Sequence, residues 1–432
     1  MSNFEKMRII ANKMLNIRRW YLYDFANSFA SSVIIFYFSL LLSEGGASDT
    51  WIGISAAIST VILLIFYPAL GHKADRSQGT LMKYMRVSSV IMVFTLFAIG
   101  FLTNTFLENY TYAMLFTLCF LYILFQTSFQ GSYVFYSSFM QHFKEIGYNK
   151  DKISGLGMGL GQLGNAVSIG VMGAFVVGSS LVLYSLSGKS LALVLGGTIF
   201  IVLAIPFLIQ KSEEGHVQAK SSEATFSLKE FLRKVFLDKK VFYYLLGYML
   251  VADSVSTLQI YLTLYLKNVF GFTEKMSSIG GAVSLGMLFI TCMVFGFFAY
   301  KITNRNKMLV IGGSVYIIAF LLFGFAPNTP LYAYLSLIFA GFAYGLFFPL
   351  ARSLYSDIIP KEAQAEYFSS FIIFERAATI TGPLLWVVVF WLLSEYPTEF
   401  RYRTNVIILA FIAMIGIYYI KKAHAMVRVE IH

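Results

Sequence analysis

Apolar stretches of about membrane-crossing length alternate with short polar ones along the whole chain. Twelve fall near residues 20–43, 51–70, 84–103, 111–137, 153–178, 190–210, 241–266, 277–300, 308–326, 331–353, 366–391 and 405–421. A helix rises about 1.5 Å per residue, so roughly 20 apolar residues cross a hydrocarbon core of about 30 Å. The pattern predicts twelve membrane-spanning helices, the last at the short limit. Residues 211–240 break the rhythm, with seven Lys or Arg and five Asp or Glu. They divide an N-terminal set of six spans (1–210) from a C-terminal set (241–432). Inside this linker, Ser227 and Glu230 have capping-box spacing. Leu228, Phe231, Leu232, Val235 and Phe236 follow helical spacing opposite Lys229, Arg233 and Lys234, which predicts an amphipathic helix on the inner membrane surface.

Composition agrees with the pattern. The 432 residues are 58% hydrophobic, 17% aromatic and 13% charged, with a mean hydropathy of +0.70. These values exclude a soluble globular domain and a disordered chain. The net charge of +11 would suggest an anionic partner if it were evenly spread, but it is not. With the N-terminus inside, inner segments and their flanks carry 27 of the 33 Lys and Arg. The outer loops carry Lys189, Lys267, Lys275, Arg401 and Arg403, and Arg376 lies within a span. Such a bias is the positive-inside pattern, so both termini are expected in the cytoplasm and the basic charge reads as topology, not as nucleic-acid binding. Residues 20–43 are too long for a signal-peptide core, so the first span is expected to be retained.

The two sets of spans look like weak repeats. An offset of 229 relates Asp24 in span one to Asp253 in span seven, and Asp75–Arg76 after span two to Asn304–Arg305 after span eight. A second offset of 214 relates the Gly131 stretch of span four to the Gly345 stretch of span ten. For Asp24 to match Asp253 in depth, the first helix must begin before Trp20. Ionisable side chains in hydrocarbon cost roughly 2.5 to 3.5 kcal/mol on insertion scales, so they usually border a wet path or a partner charge.

The loop after span two reads GHKADRSQG, Gly71 to Gly79. It resembles the loop signature of the major facilitator superfamily, with His72 and Lys73 standing where that family has small or apolar residues. YDFANS (Tyr23–Ser28), ISGLGMGLGQLG (Ile153–Gly164) and the run from Ala351 to Pro383 are similar to the vacuole effluxer branch, although Gln162 stands where that branch more often has tyrosine. The branch is named for a fungal autophagy-related protein associated with amino-acid export from vacuoles. The resemblance implies an all-α integral membrane protein, twelve helices in two six-helix pseudo-repeats (the major facilitator fold), working by alternating access. It also implies an inner gate built on Asp75 and Arg76, with Arg305 as their counterpart in the second half.

Polar side chains recur inside the spans that line the central cavity in that superfamily. Asp24, Asn27, Ser28 and Ser31 share one face of span one; Gln126, Gln130, Tyr133 and Ser137 form a stripe on span four; span seven offers Asp253, Ser256 and Thr257. Helix-to-helix hydrogen bonding would use the same residue types. Glu375 and Arg376 lie about ten residues into span eleven, too deep for surface charges, and adjacent positions on a helix diverge, so they need not pair with each other. Arg376 could hold a substrate carboxylate by a bidentate contact, with Asp253 or Asp24 near the amine. Asp24, Asp253 and Glu375 are the candidate proton carriers. Glycines at 155, 157, 159, 161 and 164 allow close helix contact, and Pro349 and Gly382–Pro383 are positions for bends.

Other chemistries lack their residues. The Gly188–Ser190 tripeptide GKS has Leu183 where a phosphate-binding loop needs glycine. All five histidines, His72, His142, His216, His424 and His432, fall in predicted inner loops or tails, and Cys119 and Cys292 stand singly in spans, so no metal or cofactor site and no enzymatic nucleophile is expected. The expectation is a monomeric, lipid-embedded secondary transporter for a small polar solute, most plausibly an amino acid. A lipid or amphiphile translocase of the same fold and a non-transporting receptor or scaffold are the alternatives.

Overall fold

The computed structural model describes all residues except 1–2, 45–49, 109–110, 146, 178–180, 184–185, 211–225 and 430–432. The described chain is helical almost throughout. In order the helices are α1 (Asn3–Glu44), α2 (Thr50–Ala74), α3 (Gln78–Glu108), α4 (Tyr112–Glu145), α5 (Lys150–Met172) and α6 (Gly188–Leu208). They continue with α7 (Leu228–Leu237), α8 (Lys239–Phe270), α9 (Glu274–Phe298), α10 (Arg305–Phe325), α11 (Pro330–Ile358), α12 (Gln364–Leu392) and α13 (Thr398–Val429). A π-helical turn, Gly173–Val177, follows α5, and a two-residue antiparallel ladder joins Val182–Leu183 to Leu186–Ser187. Among the described residues, every α-helix except α7 is long and apolar enough to cross a membrane, giving twelve spans.

Local sequence sets many of the ends. Asp238 caps α8 by accepting from the amides of Lys240 and Val241, and Gly271 closes it in a left-handed conformation at φ 67° that other residues adopt at a cost. Thr273 caps α9, Asn304 caps α10, and Pro330 opens α11 where a missing N–H does no harm. Large apolar side chains such as Val90, Phe94, Phe120, Phe297 and Trp391 are exposed, as faces turned to lipid require. The first helix begins well before Trp20, with the membrane-length segment starting at Asn16, so Asp24 lies inside the span and not at its end.

The chain forms two compact units. One holds residues 1–147, 160–228 and 362–369; the other holds 148–159, 229–361 and 370–432. In the first, α1 packs on α6, α3 on α4 and α6, and α2 on α4. In the second, α8 packs on α13, α10 on α11 and α13, and α9 on α11. The pairings are the same once α1–α4 and α6 are matched to α8–α11 and α13, which is the signature of a repeat. The glycines related by the offset of 214 do the same work in each unit. A Cβ on Gly131 would strike the Tyr67 ring of α2, and one on Gly345 would come within 2.7 Å of the Leu288 carbonyl oxygen of α9.

The amphipathic linker helix is present as α7. Phe231 and Val235 are buried, but Phe236, placed by its spacing on the same apolar face, is exposed. Residues 211–225 of the linker, with His216, and the terminal His432 lie outside the described residues.

Candidate functional site

In the N-terminal unit, Asp24 is only 2% exposed. The Tyr136 hydroxyl donates to its Oδ2 at 2.7 Å, and the Tyr136 ring stacks on Trp20 at 3.9 Å between centroids. Trp20 in turn donates through Nε1 to the Tyr136 carbonyl at 3.3 Å. One turn on, the Ser132 hydroxyl donates to Asn27 Oδ1 at 3.2 Å, and Ser28 Oγ lies 3.1 Å from the Tyr133 hydroxyl. The polar faces of α1 and α4 therefore meet as a zipper, since antiparallel helices bring rising numbers on one against falling numbers on the other. Of the stripe expected on α4, Tyr133 joins this contact, while Gln126 donates within its own helix to the Tyr122 hydroxyl at 2.8 Å. Gln130 and Ser137 are buried. From α5, Gly161 approaches so closely that a Cβ there would lie 2.9 Å from Ser28 Oγ and 3.2 Å from Asp24 Oδ1. Tyr136 and Ser132 escaped the sequence reading because spacing identifies a polar face but not the neighbour it meets.

In the C-terminal unit, Asp253 is 4% exposed and accepts a hydrogen bond from the Thr381 hydroxyl of α12 at 2.5 Å. Gly382 lets α12 come this near, because a Cβ there would fall 2.8 Å from Asp253 Oδ2. Ser256 spends its hydroxyl on the Ala252 carbonyl of its own helix at 2.8 Å, and Thr257 Oγ1 is buried without a hydrogen-bond partner. Glu375 accepts from the Tyr248 hydroxyl at 3.0 Å, and Tyr248 stacks on Phe371 at 4.2 Å. Although neighbouring helical positions diverge, Arg376 Nη2 folds back to Glu375 Oε1 at 3.3 Å. Arg376 Nε is buried without a hydrogen-bond partner, while its side chain as a whole is 29% exposed. That combination leaves a guanidinium with donors to spare. A separate cavity of about 60 Å³ among α8–α11, bordered by Gln259, Tyr316 and Tyr344, is far below the roughly 300 Å³ at which solute pockets begin.

Two polar assemblies close the helix ends. Asp75 accepts from the amides of Ala365 and Glu366 at 2.8 and 2.9 Å, so its carboxyl caps the start of α12. Gly71 is required beside it, since a Cβ would lie 2.6 Å from the Ala365 carbonyl oxygen. His72 Nδ1 sits 2.8 Å from Glu366 Oε2. Burial pushes the Asp75 carboxyl up to about 8 despite the two amide donors, and the nearby Glu366 charge adds to the rise. Arg76 stands exposed at the turn, apart from this contact.

The second assembly belongs to the C-terminal unit. Arg305 reaches Asp151 Oδ1 at 2.6 Å, Asp357 Oδ2 at 2.5 Å and the Ser353 hydroxyl at 2.8 Å. Lys150 bridges Asp357 at 3.1 Å and Ser356 Oγ at 2.7 Å, and Arg352 donates to Ser154. Asn304, the counterpart of Asp75 by offset, caps its own helix α10. The second repeat therefore uses the arginine of the pair where the first uses the aspartate. Lys150, Asp151 and Arg352 were hidden in sequence because charges at span ends are also what topology demands.

Comparison with known proteins fits this architecture. The family model described as Major Facilitator Superfamily matches residues 25–383. An uncharacterized MFS-type transporter, YxiO, of Bacillus subtilis is 24% identical over 91% of this chain and 94% of its own. Autophagy-related protein 22 of Vanderwaltozyma polyspora is 26% identical over 45% of this chain and 38% of its own. Among solved structures, a bacterial homologue of the iron transporter ferroportin in an outward-facing state superposes with a TM-score of 0.71 at 14% identity, covering 95% of this chain and 99% of that one. The proton:xylose symporter XylE gives 0.69 at 14% identity, covering 95% of both. With twelve spans in two matching sets and a family match over most of its length, the chain belongs to the major facilitator superfamily of secondary transporters.

Proposed function

We propose that this transporter moves an amino acid by alternating access, with the solute carboxylate on Arg376 and its amine near Asp253 or Asp24. The observation that carries the reading is the Arg376 guanidinium, deep in a span, whose Nε lacks a partner and whose Nη2 makes only a long contact to Glu375. A planar fork with unused donors suits a bidentate carboxylate. The vacuole-effluxer resemblance of the Ala351–Pro383 run points to the same solute class. Asn27, Gln126, Gln130, Tyr133 and Ser256 would line the path, and Glu375, Asp24 or Asp253 would carry the coupled proton. Asp75, Arg76 and Arg305 would act at the inner gate. The reading also takes residues 211–240 as the linker between two halves, both termini as cytoplasmic on the positive-inside bias, and the chain as a monomer.

A thermal-shift panel of amino acids, sugars, nucleosides and lipids on purified protein tests it, repeated with Arg376→Ala. Amino acids should raise the melting temperature of the wild type and lose about tenfold or more in apparent affinity in the variant, since a charge-assisted bidentate contact is worth roughly 1.5 to 3 kcal/mol. Equal stabilisation of both proteins would remove the carboxylate contact.

A further inference from the structure

Near the middle of α10 stands Tyr316, 2% exposed, whose hydroxyl is buried without a hydrogen-bond partner among the described residues. At 1.5 Å per residue it lies about 15 Å from either end of the helix, too far for a phenol to reach water at the membrane surface. The ring is restrained as well. Phe320 stacks on it at 6.0 Å between centroids and Phe348 meets it edge-on at 6.3 Å, so the hydroxyl is not free to turn to a distant acceptor. A hydroxyl taken out of water and left unpaired is unfavourable, and native interiors seldom carry one.

The same side chain borders the cavity of about 60 Å³ among α8–α11. Gln259, Ser284 and Tyr344 supply the other polar side chains of the wall, and the rest of it is apolar. The composition of the wall selects the occupant. None of the bordering residues is charged, so an ion would sit there without a compensating charge. An apolar molecule would cover the leucines and leave the Tyr316 hydroxyl unpaired. Water is neutral and both donates and accepts, as a phenol hydroxyl does. One water needs roughly 10 to 15 Å³ of such space and takes up about 30 Å³ in the liquid, so there is room for about two.

We propose that this cavity is a hydration site inside the C-terminal unit, holding a pair of waters hydrogen-bonded to the Tyr316 hydroxyl and to the polar groups of α8, α9 and α11 around it. The waters complete the polar wall and tie α10 to its three neighbours at mid-membrane depth. The site is independent of the solute carried.

X-ray radiolytic footprinting of the purified protein, paired with melting curves in detergent, tests the proposal, because hydroxyl radicals formed from bound water modify the side chains it touches even in an interior. Tyr316 should be modified several-fold faster than Tyr265, which is also buried but donates to the Phe323 carbonyl at 2.5 Å. Ala340→Val, which adds two carbons to the cavity wall, should displace water and slow the modification of Tyr316 several-fold. Tyr316→Phe should lower the melting temperature by about 2 to 4 °C, the shift that loss of one hydrogen bond brings in a unit of this size. In a dry cavity the same change would remove an unpaired hydroxyl and leave the melting temperature unchanged or higher. The site is overturned by that result, by modification of Tyr316 no faster than that of Tyr265, or by an Ala340→Val variant that folds and is modified at Tyr316 as the wild type is.

Discussion

Asp75 joins local sequence to conformational preference through a proton. Its two oxygens take the amides of Ala365 and Glu366, and the cost of burial outweighs them, lifting the carboxyl from an ordinary 3.8 to about 8. A carboxyl that binds its proton more tightly inside a contact than outside makes that contact a proton acceptor. Its stabilisation is therefore fully present below about pH 4 and is lost as pH rises through about 8. Glu366 and His72 face the same point, with His72 Nδ1 2.8 Å from Glu366 Oε2. The melting temperature of the purified wild type should fall between pH 6 and 9, and Asp75→Asn should remove most of that slope. An unaltered slope in Asp75→Asn would take the pH dependence away from this residue.

At the scale of helices, close approach between α11 and α9 depends on one missing side chain. Gly345→Val would push a branched side chain into the Leu288 carbonyl and the Thr291 Cβ, both about 2.7 Å from the first added carbon. Overpacking of this kind costs about 1 to 3 kcal/mol. Gly286→Ala on α9 meets nothing within 4 Å and should be neutral or stabilising by about 0.5 to 1 kcal/mol. In detergent the melting temperature of Gly345→Val should fall while that of Gly286→Ala holds or rises, and equal shifts would mean that the Gly345 contact is not tight. This scale also shows what the amino-acid sequence made legible. All twelve spans were visible because a bilayer demands a fixed length of apolar residues, and the 214 offset picked out Gly131 and Gly345 because both repeats need the same gap. Rotation of a helix about its axis is not visible in sequence, so nothing there distinguishes Tyr136, which meets Asp24, from Gln126, which bonds within its own helix. The start of α1 before Trp20 is legible only through the depth of Asp24, because a helix continues beyond the membrane on polar residues, where hydropathy carries no signal.

Across the whole molecule, the two units do not coincide with the two halves of the sequence. Residues 362–369 of the second half belong to the first unit, where Asp75 and His72 hold them, and residues 148–159 of the first half belong to the second, where Arg305, Arg352 and Asp357 hold them. Each half therefore carries polar groups whose partners come from the other half. Removing one partner of a buried ion pair costs about 3 to 5 kcal/mol, a large share of a domain's net stability. Cutting the chain within the charged linker, at residue 220, leaves both sets of helices intact while separating these partners. Fragments 1–220 and 221–432 should copurify when coexpressed with a tag on only one of them. Alone, the first fragment would keep Lys150 and Asp151 without Arg305 and Asp357, and should aggregate or melt well below the intact chain. Co-expression with Asp151→Asn and Lys150→Gln in the first fragment should weaken recovery of the second. If either fragment alone is monodisperse and melts with the intact protein, the exchanged helix ends contribute little, and the stability of the fold resides within each six-helix set.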